Sequence, residues 1–171
     1  MSARKDSPIS RAQKSFQDLA TASRALNTAS DQLGKTIVEL EEALKGLNLG
    51  ISSWVSFNDW SDEYLDYYRD QVGYSKVGGK WGIAIRSLSG NQNFPENETQ
   101  DGPWLFSDAP RKLRIDAIGK IPELLETLVK DVVATTNKIN EKMQESQELA
   151  KAISVLASSR DKPPKEAPLI E

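Results

Sequence analysis

Apolar residues recur at alternating steps of three and four along two long stretches of the chain. The first stretch runs Ile9, Ala12, Phe16, Leu19, Leu26, Leu33, Ile37, Leu40, Leu44 and Leu47, interrupted at Ser23 and Ser30. The second runs Ile118, Ile121, Leu125, Leu128, Val132, Ile139, Leu149, Ile153 and Leu156, with Thr135, Lys142 and Ser146 in the same stepping. A repeat averaging 3.5 residues marks an α-helix with a coiled-coil seam. The pattern predicts a first long helix over 9–48, stopped by Gly46 and Gly50. It predicts a second over 108–157, with Asp108 as N-cap and Pro110 in the first turn. Gly119 and Pro122 predict a kink or break near 119–122. Residues 1–8 and the proline-bearing tail 158–171 are expected to be disordered.

The two arrays have the same length, and an antiparallel pairing aligns both their apolar and their polar positions. Leu47 then meets Ile118, Leu33 meets Val132 and Phe16 meets Leu149, while Ser30 falls opposite Thr135 and Ser23 opposite Lys142. Positions beside the seam carry Ala22, Ala29 and Ala43 on the first helix and Val129, Met143 and Ala150 on the second. A solitary helical pair usually places charges there. The wider apolar face predicts self-association through those six residues, as in a four-helix bundle of two copies.

Between the arrays the pattern changes. Every aromatic residue except Phe16 lies between Trp54 and Phe106. Gly78-Gly79 reads as a two-residue hairpin turn, because glycine reaches positive φ without steric cost. Its flanking strands, about 71–77 and 80–88, place Val72 opposite Ile85, Tyr74 opposite Ile83 and Lys76 opposite Trp81. The reverse side shows only Gly73, Ser75, Gly82 and Ala84, bare enough for close approach of another element. Alternation over 51–57 predicts another strand, and Trp104-Leu105-Phe106 a short one. Segment 59–70, acidic and aromatic, reads as a short helix or a loop, and Ser89–Pro103 as a long exposed loop. The fold class expected is α+β: a long antiparallel helical hairpin with a small antiparallel β-domain, residues 49–107, inserted at its turn.

Composition narrows the chemistry. The 171 residues include neither cysteine nor histidine, which removes thiolate chemistry, Ser-His-Asp catalysis and the commonest metal ligands. No catalytic residue, cofactor site or metal site is predicted, and the protein is expected not to be an enzyme. Residues 29–36 weakly match a phosphate-binding loop, but they fall inside the helical array, where their amides are committed. The acidic residues of 59–70 lack the ordered spacing of a calcium loop. A net charge of −3 makes nucleic acid an unexpected partner. No apolar run suits a membrane span, so a soluble, cytoplasmic protein is expected.

Binding is the function left. Trp60, Tyr64, Tyr67 and Tyr68 lie outside the predicted hairpin and are the candidate partner-binding residues. The leading expectation is a protein–protein interaction or scaffold protein of unknown partner, its coil self-associating and its β-domain binding. The layout of helix, small β-region and returning helix is similar to that of prefoldin-type chaperone subunits, and this likeness implies a holdase as the alternative. A third reading is a small-ligand sensor or enzyme using the aromatic domain, which requires a concave pocket.

Overall fold

The computed structural model describes residues 7–160. The chain is mixed α+β: an N-terminal helix, a four-stranded antiparallel sheet and a C-terminal helical segment. Helix α1 spans Pro8–Gly46. Strands β1 (Ser53–Ser61), β2 (Asp66–Val77), β3 (Lys80–Asn91) and β4 (Phe94–Leu105) form a meander in sequence order. Helix α2 (Arg111–Ala117) and a 3-10 turn at Ile118–Lys120 precede helix α3 (Ile121–Arg160). The described residues fall into two compact units that divide between Leu128 and Val129.

Local chemistry accounts for the element ends. Ser7 caps α1, its Oγ accepting from the Ser10 N–H at 3.2 Å, and Pro8 follows in the first turn. The helix stops where Asn48 and Gly50 take positive φ. Gly78 and Gly79 both have positive φ between β2 and β3, and the predicted pairs Val72–Ile85, Tyr74–Ile83 and Lys76–Trp81 are all formed. The disorder expected for 1–8 and 158–171 concerns residues mostly outside those described; Ser7 and Pro8 open α1, and 158–160 continue α3.

Three local expectations are overturned. Segment 59–70 is neither helix nor loop: it is the end of β1, a turn at 62–65 and the start of β2. Asp62 makes that turn, its carboxylate accepting the N–H groups of Tyr64 and Asp66 at 3.0 and 2.9 Å, with Leu65 at positive φ. Ser89–Pro103 is mostly strand, because a two-residue turn at Gln92-Asn93 folds β4 back onto β3. Its polar side chains are tolerated there because β4 is an exposed edge strand. Pro95, Pro103 and the acidic side chains blunt that edge against further pairing. Asp108 does not cap α2; Pro110 takes the N-cap position without a side-chain bond, and Asp108 accepts from the Ser107 hydroxyl instead.

Alternation along the strands gives the sheet two faces. The core lies on one of them, at the end bearing the Gly78-Gly79 turn. Val55, Val72, Tyr74, Ile83 and Ile85 pack there with Ile37 and Leu44 of α1, Phe106, Ala109, Ala117 of α2, and Leu124 and Leu128 of α3. Tyr74 stacks on Trp81 with ring centroids 5.4 Å apart. Each large apolar side chain removed from water here contributes roughly 1.5–3 kcal/mol. Glu41 of α1 accepts the Ile83 N–H at 3.0 Å, satisfying a donor of β3 just beyond its pairing with β4. Burial raises the Glu41 pKa, and the bond from Ile83 only partly offsets it.

The opposite face is not left bare. Trp54 lies over Gly73, where a Cβ would overlap its ring and the Ser53 carbonyl. The Arg86 guanidinium sits 4.2 Å from the centroid of the Trp54 ring, and its Nε donates to Gln71 at 2.9 Å. The glycine thus admits an aromatic ring rather than another backbone element.

Candidate functional site

Beyond Val72 and Ile85, the core face of the sheet changes character. The same strands continue, but among the described residues the apolar cluster stops there. The inward positions become Asn58 and Trp60 on β1, Asp66, Tyr68 and Asp70 on β2, and Ser87 and Ser89 on β3. On β4 they are Thr99 and Asp101. Register places these side chains on one surface: Trp60 faces Tyr68, Tyr68 faces Ser89 and Ser89 faces Thr99.

Asp70 sits at the border between the two halves and is 2% exposed. Its carboxylate accepts from Ser87 Oγ at 2.5 Å, Tyr68 Oη at 2.7 Å and Asn58 Nδ2 at 2.9 Å. Three donors on three strands make a buried carboxylate tolerable. The Ser87 and Tyr68 hydroxyls also lie 3.2 Å apart, but each has one proton, and the carboxylate is its stronger acceptor. Contact with Ser87 lowers the Tyr68 pKa; the bond to Asp70, burial and the charges of Asp70 and Asp101 outweigh it and raise the phenol above its ordinary value. This network orients the Tyr68 ring from its hydroxyl end.

Outward from Asp70 the surface opens to water. Trp60 is 57% exposed and Tyr68 41%. At this end the two hairpin turns are tied together: Asn91 donates to the Tyr64 carbonyl at 2.9 Å and to Asp66 at 2.6 Å, and the Gln92 N–H donates to the Leu65 carbonyl at 2.9 Å. Tyr64, Leu65 and Phe94 are exposed on or beside these turns. An aromatic surface held by such cross-links is preorganised.

The four candidate residues therefore separate. Trp60 and Tyr68 are direct cross-strand neighbours on the open surface, and Tyr64 projects from the adjoining turn. The helical arrangement that would stack Tyr64 on Tyr68 does not exist, since the first lies in a turn and the second in β2. Tyr67 is on the opposite face, donating to Glu98, a bond that raises its pKa, with the Arg69 guanidinium 5.6 Å from its ring centroid. Sequence reasoning missed Asn58, Asp70, Ser87 and Asp101. The pairing rule that joins Val72 to Ile85 reaches Asp70–Ser87 and Tyr68–Ser89 when it is carried further along the same strands.

The outer parts of the long helices are a second candidate surface. In the N-terminal unit, Ile9 is 71% exposed, and Phe16, Leu19 and Leu26 are exposed too. In the C-terminal unit, Leu156 is 68% exposed, with Ile139, Met143, Leu149 and Ile153 also open. The predicted self-association residues Ala22, Ala29, Ala43, Val129, Met143 and Ala150 are all exposed. Nearer the sheet the arrays are covered: Leu33 and Leu40 pack on the core, and Leu124 is fully buried.

Residues 29–36 are helical throughout. They border a shallow, open depression of about 670 Å³ in which Lys35 and Arg114 are balanced by Asp31 and Glu39. Among the described residues no group of three or more acidic side chains is placed to hold a metal ion, and no helix is long and apolar enough to cross a membrane. No protein-family model, curated protein or solved structure matches the chain.

Proposed function

We propose that the protein is a non-enzymatic interaction module that binds a partner protein on the open half of its sheet. The observation that carries this reading is the exposed Trp60–Tyr68 pair, adjacent to a buried network that fixes one of its two rings. Large aromatic side chains lose little entropy on binding and dominate interface energetics. A photo-crosslinking amino acid at position 60, incorporated in the native cell, tests it. A discrete crosslinked protein is expected at position 60, and none at Lys35 on α1. Equal labelling at both positions, or none at 60, counts against the reading.

The exposed outer stretches of the helices serve self-association in this account, their apolar stripes closing against those of a second copy in one bundle. The expected solution mass is twice the chain mass of 19.0 kDa. A concentration-independent monomer contradicts it.

A prefoldin-like holdase is the second reading, favoured by the exposure of Ile9 and Leu156 near the helix ends. It requires the chain to suppress aggregation of an unfolded client, and Ile9→Ser with Leu156→Ser to abolish that suppression. A lack of suppression by the unaltered chain removes this reading and leaves the first intact.

A further inference from the structure

The two sheet faces treat charge differently. On the face bearing Trp54, basic side chains stand among the acidic ones within the sheet. Asp59 pairs with Arg69 at 3.0 Å, Glu98 accepts from Tyr67 beside Arg69, and Arg86 rests on Trp54. On the open half of the other face, the register places Asp66, Asp70 and Asp101 and no lysine or arginine. The exposed Asp66 and Asp101 have no ion-pair partner among the described residues. Glu63 adds a further exposed carboxylate at the adjoining turn.

Resting on the binding reading above, we infer that the segment bound by this face carries lysine or arginine. Exposed aromatic faces attract cations through their ring quadrupoles. Unpaired carboxylates beside the rings add Coulomb attraction and steer a positive partner towards the surface. The arrangement combines the two: Trp60 and Tyr68 offer ring faces, and Asp101 lies close enough to Tyr68 for its charge to bear on the phenol. An arginine fits best, because its planar guanidinium can stack on a ring while its N–H groups reach a carboxylate. Anionic ligands are disfavoured by the same charges, so a nucleic-acid strand stacking on these rings would meet repulsion. Lys76 and Lys80, the basic side chains at the far hairpin, stand at the covered end of the sheet.

The test is a fluorescence titration of the full chain with a labelled synthetic peptide of about ten residues, long enough to cross a sheet of this width, with arginine at alternate positions and serine between. Its glutamate counterpart and a single-stranded oligonucleotide serve as comparison probes. Binding of the arginine peptide alone is expected, weakening as salt is raised. Trp60→Ala and Asp101→Asn should each weaken it about fivefold or more. Asp59→Asn, which removes a carboxylate from the opposite face, should leave it unchanged. Circular dichroism and the melting temperature establish that each variant folds. Equal binding of the glutamate peptide or the oligonucleotide overturns the inference, as does failure of the arginine peptide to bind. Insensitivity to both Trp60→Ala and Asp101→Asn overturns it equally. A protein crosslinked at position 60 whose contacting segment lacks basic residues sinks this inference while sustaining the binding reading. Loss of the crosslink itself removes both.

Discussion

The two halves of one sheet face obey the same alternation and end in opposite surroundings, one covered and one open to water. At the Gly78-Gly79 end, inward positions are Val72, Tyr74, Ile83 and Ile85, and helices cover them. At the other end, inward positions are Trp60, Tyr68, Ser89 and Thr99, and among the described residues the apolar cluster does not extend over them. Period-two patterning specifies which residues share a face but not whether that face meets a helix or a partner. The side-chain chemistry does separate them. Aliphatic side chains and closely packed rings fill the covered half, whereas the open half sets its aromatics among hydroxyls and carboxylates that tolerate repeated wetting and burial. Asp70 marks the border, and its hydrogen bonds close the core on one side while holding Tyr68 on the other.

Substitutions on either side of that border break or sharpen the contrast. Phe106→Ala, which empties a site only 1% exposed in the covered half, should cost about 3–5 kcal/mol in denaturant unfolding. A cost near that of a surface change would mean that the helices do not close the core as described. Asp70→Ala leaves the Ser87, Tyr68 and Asn58 donors without their shared acceptor and should cost about 2–3 kcal/mol. It should also loosen Tyr68, read as an altered phenol titration midpoint.

Glu41→Gln keeps an oxygen for the Ile83 N–H and removes the charge, so its effect should stay within about 1 kcal/mol and depend on pH. The folded-state pKa of Glu41 is raised, so the folded chain holds this proton more tightly than the unfolded one. Its stabilising contribution is complete below the ordinary value of 4.5 and is lost as pH rises through the folded-state pKa. The glutamine variant should therefore gain stability relative to the parent as pH increases from 4 towards 7. A difference that is flat across that range would show that the carboxylate is not buried in the folded chain. The smallest effect belongs to the open half: Trp60→Ala should alter stability by no more than about 0.5 kcal/mol, while removing partner binding. A large loss of stability would make Trp60 a core residue.

Much of the helical and hairpin architecture is legible in the sequence because its signals are local or periodic. The 3.5-residue repeat marks both long helices, Gly119 stands in the 3-10 turn between α2 and α3, and Gly78-Gly79 fixes the central hairpin and its register. Strand β4 is hard to read because Phe94–Leu105 is a polar edge, with Asn, Glu, Gly and Pro where a buried strand would carry aliphatics. The β1–β2 turn is hidden for a similar reason: Asp62 makes it through its side chain, and Leu65 adopts positive φ without being glycine. Trp60 and Tyr68 are identifiable as candidates from composition, but their partnership depends on the pairing of β1 with β2, which no turn motif announces. Asp70 reads as one acid among several until its cross-strand neighbour Ser87 is known.

The four tryptophans provide the most direct test of the central claim. Trp60 stands on the open surface, Trp81 and Trp104 pack against the core, and Trp54 lies on the opposite face beneath Arg86. Each contributes one indole N–H signal to a nitrogen–proton correlation spectrum, assignable by single Trp→Phe substitutions. Addition of the arginine-bearing peptide should shift the Trp60 signal and leave the other three in place. Movement of the Trp54 signal with Trp60 stationary would put the binding surface on the wrong side of the sheet and contradict the account.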